Sequence, residues 1–396
     1  MKKLVRIYVV VLMTLVLGTS AFAVNPEIAV ETVADYLLDN QNANGSWPGS
    51  ADFTGSVVPG MTRAYQITGN TAYLASAQLA GNFILSIAGG NFLGDEAYAL
   101  TRLSEVSTNP GINQWRTALG VFYAAVKNSE YGTDGYIDLI EEDQEDPSDA
   151  LFFIAHHTVA AFYVDASDRY VWRVRLIEVL SRIQDGQSGY PVGSLGLAVW
   201  ALVQTGLMDD TYVDPSAPSG SYWTGVKLNQ LEGLLKGHIV LSGTFAGSAY
   251  WRFDHGNGGF IQDIAGYTED SVFATKGFAA LQKKSAGSVT EIRLKSVQDK
   301  LTAGIENDGS VQYSIFNNGQ TEYVWAAETL AVLPILADAN RDDVVNLADL
   351  DRMTNYWLAA NCASSLNCAG TDINKDGKVN LADFAALSSY WLVEAN

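Results

Sequence analysis

The sequence predicts an all-α protein: an (α/α)6 toroid of alternating outer and inner helices, followed by a small module built on a duplicated acidic loop. Three observations carry this expectation. Apolar residues recur at helical spacing along residues 24–335, where strand-like alternation is weak. Amphipathic segments alternate there with uniformly apolar ones, in a repeat of about 50 residues that fits a helix pair with its connections. Residues 336–396 then hold two copies of one loop-plus-helix pattern, offset by 34 residues.

The chain opens with MKKLVRIYVVVLMTLVLGTSAFA. Lys2, Lys3 and Arg6 form a positive end, Ile7 to Leu17 an apolar stretch, and Ala21-Phe22-Ala23 a small-x-small cleavage site. This predicts a secretory signal, residues 1–23, removed after Ala23. The apolar stretch is short against the roughly 20 residues of a spanning helix, and no later segment is long and apolar enough to span. The protein is therefore expected outside the cell or at its surface, with no membrane span after cleavage. Its 396 residues include 24 Lys+Arg against 44 Asp+Glu, a formal charge of −20. Nucleic acid is excluded as a partner, because polyphosphate binding needs clustered basic residues.

Outer helices are predicted near 27–40, 71–88, 111–127, 168–184, 222–236 and 287–303. In the fourth, Trp172, Leu176, Val179, Leu180 and Ile183 share one face, and Leu294, Val297 and Leu301 do so in the sixth. Inner helices are predicted near 56–68, 95–106, 148–163, 194–206, 269–282 and 321–335. Ser194 to Val203 is apolar on nearly every side, as a helix buried all round should be. The longer connections run from outer to inner helix and should crowd one end of the ring. They include 41–48 (QNANGSWP), 185–191, 251–260 (WRFDHGNGGF) and 306–311. Residues at that mouth are the natural place for a site.

For glycoside cleavage, which needs one protonated and one ionised carboxylate, the mouth offers Asp52, Asp95, Glu96, Asp254, Glu269, Asp270 and Glu322. Each also suits the first turn of a helix, where capping and the macrodipole favour acids. Asp254-His255 stands in a Gly-rich loop with Trp251 and Arg252, so these residues join Asp95, Glu96, Glu269 and Asp270 as catalytic candidates. Trp47, Tyr190 and Trp251 are candidates for stacking on a sugar. Elimination would instead use a basic group such as Arg252, Arg63 or Arg102, although 17 basic and 35 acidic residues in the body work against an acidic polymer. His156-His157 lies mid-helix, so at most one of the two faces the lumen, and core packing is the expectation for both. No phosphate-binding loop, Gly-x-Ser-x-Gly elbow or His-Glu-x-x-His is present.

The duplicated segments are DANRDDVVNLADLDRMTNYWL (338–358) and DINKDGKVNLADFAALSSYWL (372–392), agreeing at 11 of 21 positions. Positions 1, 3, 5, 7, 9 and 12 are Asp338, Asn340, Asp342, Val344, Asn346 and Asp349 in the first, and Asp372, Asn374, Asp376, Lys378, Asn380 and Asp383 in the second. That spacing supplies the oxygen-rich sphere Ca²⁺ prefers, with position 7 giving its backbone carbonyl. Position 6, the sharp turn, is Gly377 in one copy and Asp343 in the other; Asp tolerates positive φ better than most residues. Cys362 and Cys368 are expected to pair in an exported protein.

Residues 336–393 resemble a type I dockerin: duplicated loop-plus-helix, Asp at position 12, no helix before the loop. The resemblance implies two Ca²⁺ sites and a cohesin-like module on a scaffold protein as partner. Dockerins usually accompany secreted polysaccharide-degrading enzymes, so it also implies a polysaccharide substrate, cut by a hydrolase of O-glycosyl bonds or a lyase. Leu347-Ala348 and Leu381-Ala382, which follow the ninth position, are equal and apolar in both copies; equality there implies docking in two orientations. In the body, QNANGSW resembles the Gln-Trp repeats of terpenoid cyclase and prenyltransferase toroids. The longer stretch LLDNQNANGSWPG with TGNTAYLASAQLAGNFIL resembles helical-barrel pectate lyases. The clustered Asp-x-Asp-Asp acid of olefin-protonating cyclases is missing. A non-catalytic carbohydrate- or protein-binding toroid is the alternative to an enzyme, with a terpenoid-type cyclase behind it.

Overall fold

The computed structural model describes residues 26–49, 53–144, 146–183, 191–237, 239, 252–254, 259–261, 268–313, 322–362 and 366–395. The expected signal, residues 1–23, lies outside them. No described helix is long and apolar enough to cross a membrane.

Six inner helices form a closed ring: α2 (Thr54–Thr68), α4 (Gly94–Glu105), α7 (Pro147–Tyr163), α9 (Pro191–Gln204), α11 (Thr268–Lys284) and α13 (Tyr323–Leu330). Each packs on the next, and α13 returns to α2. Outside lie α1 (Pro26–Asp39), α3 (Thr71–Ile87), α5 (Gln114–Lys127), α8 (Arg169–Arg182), α10 (Leu231–Gly237) and α12 (Ser288–Ala303). The alternation read from the sequence is therefore present, with differences in detail. An unexpected helix, α6 (Gly132–Asp143), lies against α7 and α8. The fifth outer element is shortened to a 3-10 turn (Leu228–Gln230) and α10, and α13 is shorter than expected. A small antiparallel hairpin, β1 (Arg252–Asp254) with β2 (Gly259–Ile261), sits in the Gly-rich connection.

Glycine brings the inner helices close. A Cβ on Gly60 would lie 2.5 Å from the Ala327 carbonyl oxygen of α13, and one on Gly196 2.3 Å from that of Phe273 on α11. Between helices, local chemistry sets the stops. Gly69 ends α2 in the left-handed conformation at φ 70° and returns its N–H to Tyr65, and Asn70 caps α3 by accepting from Ala72 N–H at 3.0 Å.

Two of the outer-to-inner connections share one turn. In the first, Asn42 N–H donates to Ser46 O, Gly45 N–H to Asn42 O, and Ser46 to the Asn44 side chain. In the last, Glu306, Ser310, Gly309 and Asp308 repeat those bonds. Each turn glycine has positive φ and leaves no room for a Cβ: Gly45 abuts Leu79 O of α3, and Gly309 abuts Thr32 O of α1. These turns staple successive outer helices and join the last to the first.

The C-terminal module contains α14 (Leu347–Asn355), α15 (Leu366–Gly370) and α16 (Leu381–Ser389). The bridges Val344↔Glu394 and Ala360↔Lys378 tie its two halves, and Cys362 is disulfide-bonded to Cys368. It packs on the ring at the C-terminal ends of the inner helices, opposite the mouth. There Arg63 of α2 meets Asp343 at 2.6 Å, and the Gln282 amide of α11 donates to Asn340 O at 2.7 Å.

Candidate functional site

The N-termini of the inner helices surround a cavity of about 390 Å³. Phe53, Phe152, Phe153, Phe273 and Trp325 give it aromatic walls, and Asp149, Glu269, Asp270, Glu322 and Glu328 give it carboxylates. The acids converge because α7, α11 and α13 each start at the mouth: Asp149 and Glu269-Asp270 lie in first turns, and Glu322 immediately precedes α13. Glu328 lies deeper on α13, where Lys276 of α11 pairs with it at 2.9 Å, both side chains buried.

The electrostatics separate these groups. Burial, reinforced by the nearby Asp149 and Glu328 charges, pushes the Glu269 carboxyl up to about 7. Burial and Asp146 raise Asp149 as well. Glu328 has an ammonium partner, so its charge is compensated where it stands. The cavity thus combines a carboxyl poised to carry a proton near neutrality with one held beside a cation.

Behind Glu328, between this cavity and the opposite end of the ring, Lys276 sits among aromatic rings. Lys276 Nζ lies 3.5 Å from His156 Nε2 and within 6 Å of the Tyr98, Trp200 and Phe273 ring centres. His156 Nδ1 stands 2.7 Å from the Phe152 carbonyl, which can only accept, so Nδ1 carries the proton and Nε2 faces Lys276 with its lone pair. Burial and Lys276 push His156 well below the usual histidine range. Its neighbour His157 turns away from the lumen toward Tyr123, and burial lowers it to about 3. Both imidazoles are neutral, and only His156 stands beside Lys276.

Of the residues singled out from the sequence, Glu269, Asp270 and Glu322 line the cavity. Asp95 and Glu96 do not. Asp95 is buried between α4 and α2, where Ser56 Oγ lies 3.5 Å from its Oδ2, and Glu96 caps its own helix by accepting from Leu93 N–H. Trp47 is corrected from sugar platform to core: it is fully buried, and its indole N–H donates to Leu37 O at 2.8 Å. Arg252 and Asp254 lie on β1, with side chains outside the described residues, as are Asp52, Tyr190, Trp251 and His255. Arg63 and Arg102 lie at the opposite end, engaged by Asp343 and by Glu105 with Gln66. Sequence reasoning missed Asp149, Glu328 and Lys276. The available signal was a lone acid or base on an otherwise apolar inner helix, as in YVWAAETL.

The two tail loops share a backbone pattern. Asp349 accepts from the N–H groups of Ala339, Asn340 and Asn346, and Asp383 from those of Ile373, Asn374 and Asn380. Position 6 takes positive φ in both, 64° at Asp343 and 88° at Gly377. No three His, Cys, Asp or Glu side chains among the described residues stand gathered as a ready-made metal cluster. Each loop instead spaces its acids with amides and a backbone oxygen. The donor set nonetheless fits a hard cation: Asp338 is buried and raised well above its usual range by burial and by Asp343, and Asp372 Oδ1 is buried without a partner. Asp338, Asn340, Asp342, Val344, Asn346 and Asp349, and their counterparts in the second loop, would hold Ca²⁺ and supply no chemistry beyond ordering the loops.

Residues 336–392 match the family model of the dockerin type I domain, so the tail is a type I dockerin, a family that binds calcium and docks to cohesin modules. No curated protein matches the chain. Among solved structures, the ring resembles the GH76A alpha-1,6-mannanase of a Salegentibacter species, with TM-score 0.52, 11% identity, and coverage of 80% of this chain and 99% of that one. The cellobiose 2-epimerase of Bacillus thermoamylovorans gives TM-score 0.50 at 15% identity, covering 79% and 99%. That of Spirochaeta thermophila gives 0.50 at 13%, covering 83% and 98%. At such identities these likenesses show the fold, an α/α toroid.

Proposed function

We infer that the chain is a secreted carbohydrate-active enzyme, a hydrolase of O-glycosyl bonds in a neutral glycan, carried on a scaffold by its dockerin. The ring, residues 24–335, is the catalytic body, and residues 336–396 are the calcium-loaded anchor. The observation that carries this reading is the carboxylate pair in one aromatic-walled cavity. Glu269, held near neutrality, donates the proton to the leaving oxygen. Glu328, paired with Lys276 at 2.9 Å, is the second carboxylate, placed to stabilise positive charge at the sugar carbon or activate water. Flat rings at the walls suit the apolar faces of sugars, and Trp325 Nε1, buried without a partner, is a donor for a hydroxyl.

A neutral glycan is favoured over a uronate. Five acids line the cavity, Lys276 is already paired with Glu328, and Arg63 and Arg102, two of the arginines elimination could use, stand at the far end of the ring. The dockerin tail supports an extracellular setting, and the two resembling enzyme classes support sugar chemistry on this architecture.

The test incubates the full chain with neutral and acidic polysaccharides, following reducing ends and the ultraviolet absorbance of unsaturated uronates together. New reducing ends without absorbance, lost in Glu269→Gln, are the expected result. Absorbance rising with them would make the enzyme a lyase. Binding without turnover would leave a carbohydrate-binding toroid.

A further inference from the structure

The two dockerin repeats are equal where a partner is expected to read them, at Leu347-Ala348 and Leu381-Ala382. Taken alone, such a module presents two equivalent faces. The ring removes that equivalence.

The first repeat is held against the ring. Arg63 grips Asp343 and the Leu333 carbonyl, and Gln282 holds the Asn340 carbonyl. Arg352 of α14 forms a two-pronged ion pair with Glu291 of α12 and also donates to Ala339 O at 2.7 Å. Ala348, Asp351, Arg352 and Asn355, at i, i+3, i+4 and i+7, form one stripe of α14, and that stripe lines a crevice whose other wall is α12. In the second repeat the matching positions are Ala382, Ala385, Ala386 and Ser389. Both charged residues are gone, and none of the four lines the crevice. Around them Leu381 is 72% exposed, Phe384 42% and Leu392 71%.

A stable protein interface takes about 800 Å² from each partner. A globular partner centred on Ala348 would have to enter the crevice and displace the Arg352–Glu291 pair, leaving Glu291 without its cation. One centred on Ala382 meets an apolar surface and leaves the Arg352–Glu291 pair in place. We propose that the ring fixes this dockerin in a single docking orientation, in which the exposed face of α16, centred on Leu381 and Phe384, takes the cohesin. The matching cohesin surface is apolar and uncharged at its centre, since a charge desolvated against Leu381 would find no partner. The inference rests on the docking reading of the tail.

The experiment measures binding of the full chain, in Ca²⁺, to purified type I cohesin modules, including those of the same organism. Leu381→Asp is expected to weaken binding more than 100-fold and Leu347→Asp less than threefold. Both side chains are largely exposed, so melting temperature and calcium binding serve as controls for folding. Glu291→Ala combined with Arg63→Ala, which loosens the clamp, is expected to restore part of the binding that Leu381→Asp removes. Near-normal binding by each single variant, with loss only in the double Leu347→Asp/Leu381→Asp, would show two usable faces and overturn the single orientation alone. Loss in Leu347→Asp with none in Leu381→Asp would overturn it as well. Failure of the unaltered chain to bind any cohesin would overturn the docking reading itself.

Discussion

Two carboxyls, Glu269 and Asp95, are both pushed to about 7, yet their surroundings give them different work. Glu269 borders the cavity with Asp149 and Glu328 nearby, so its proton can reach a substrate. Asp95 is sealed between two inner helices. A carboxyl whose folded pKa lies above its ordinary value holds its proton more tightly in the folded state. Its contribution to stability is complete below the ordinary value and is lost as pH rises through about 7. The melting temperature of the full chain should therefore fall between pH 5 and pH 8. Asp95→Asn should remove part of that fall and leave turnover at pH 6 unchanged, which thermal scans and rates on one preparation would show. Glu269→Gln should also flatten the curve but lower the rate by about 10²–10⁴, the usual contribution of a positioned proton donor. The alkaline limb of the unaltered enzyme's rate profile should lie near 7. Retained turnover in Glu269→Gln would remove that residue from the reaction.

The helix seams of the ring make a sharper demand than hydrophobic pattern alone. The Gly196 position on α9 faces the Phe273 carbonyl so closely that a methyl group forces the two helices apart. Gly196→Ala should cost about 1–3 kcal/mol, as overpacking does, read as a lower denaturant midpoint. Gly120→Ala on α5, where nothing lies within 4 Å, should be neutral or stabilising by about 0.5–1 kcal/mol. Equal effects at both sites would mean that the seam relaxes freely. The alternation of amphipathic and uniformly apolar segments made the twelve main helices legible, because solvent touches the outer helices on one side and barely reaches the inner ones. Helix α6 escaped notice: GTDGYIDLIEED has two glycines, a cluster of acids and little apolar face, and it buries only Thr133 and Ile137. The two loops of the dockerin were legible because their Asp/Asn spacing is local in sequence. The Lys276–Glu328 pair was not. It joins residues 52 apart, and its distance depends on the register of α11 against α13, which no local pattern encodes. Trp47 misled for a related reason, since an aromatic beside a turn glycine serves a staple as readily as it serves a sugar.

At the scale of the whole molecule, ring and tail share a buried boundary that runs through the first dockerin loop. The loop takes Asp343 where its twin has Gly377, and the left-handed backbone that glycine adopts freely costs other residues about 1–2 kcal/mol. In return Asp343 supplies the carboxylate that buried Arg63 needs, and leaving such a cation unpaired is more costly, about 3–5 kcal/mol. Cation binding to the loop should therefore stabilise the ring as well as the tail. A ligand at 100 times its Kd adds about 2.7 kcal/mol to the state that binds it. Calorimetry of the full chain should show ring and tail melting together in Ca²⁺, with chelation lowering the temperature at which the ring itself unfolds. Asp343→Gly separates the two effects. The loop keeps Asp338, Asn340, Asp342, Val344, Asn346 and Asp349 and gains a relaxed turn, so calcium binding should persist, while Arg63 loses its partner. The ring should then melt earlier and respond less to calcium, and the tail should melt as a distinct transition. Asp383→Ala, in the second loop away from Arg63, should weaken calcium binding with a smaller effect on the ring than Asp349→Ala. If chelation shifts only a tail transition and leaves the ring untouched in the unaltered chain, the boundary does not couple the two bodies, and the clamp on the first repeat would have to be weaker than its buried ion pairs imply.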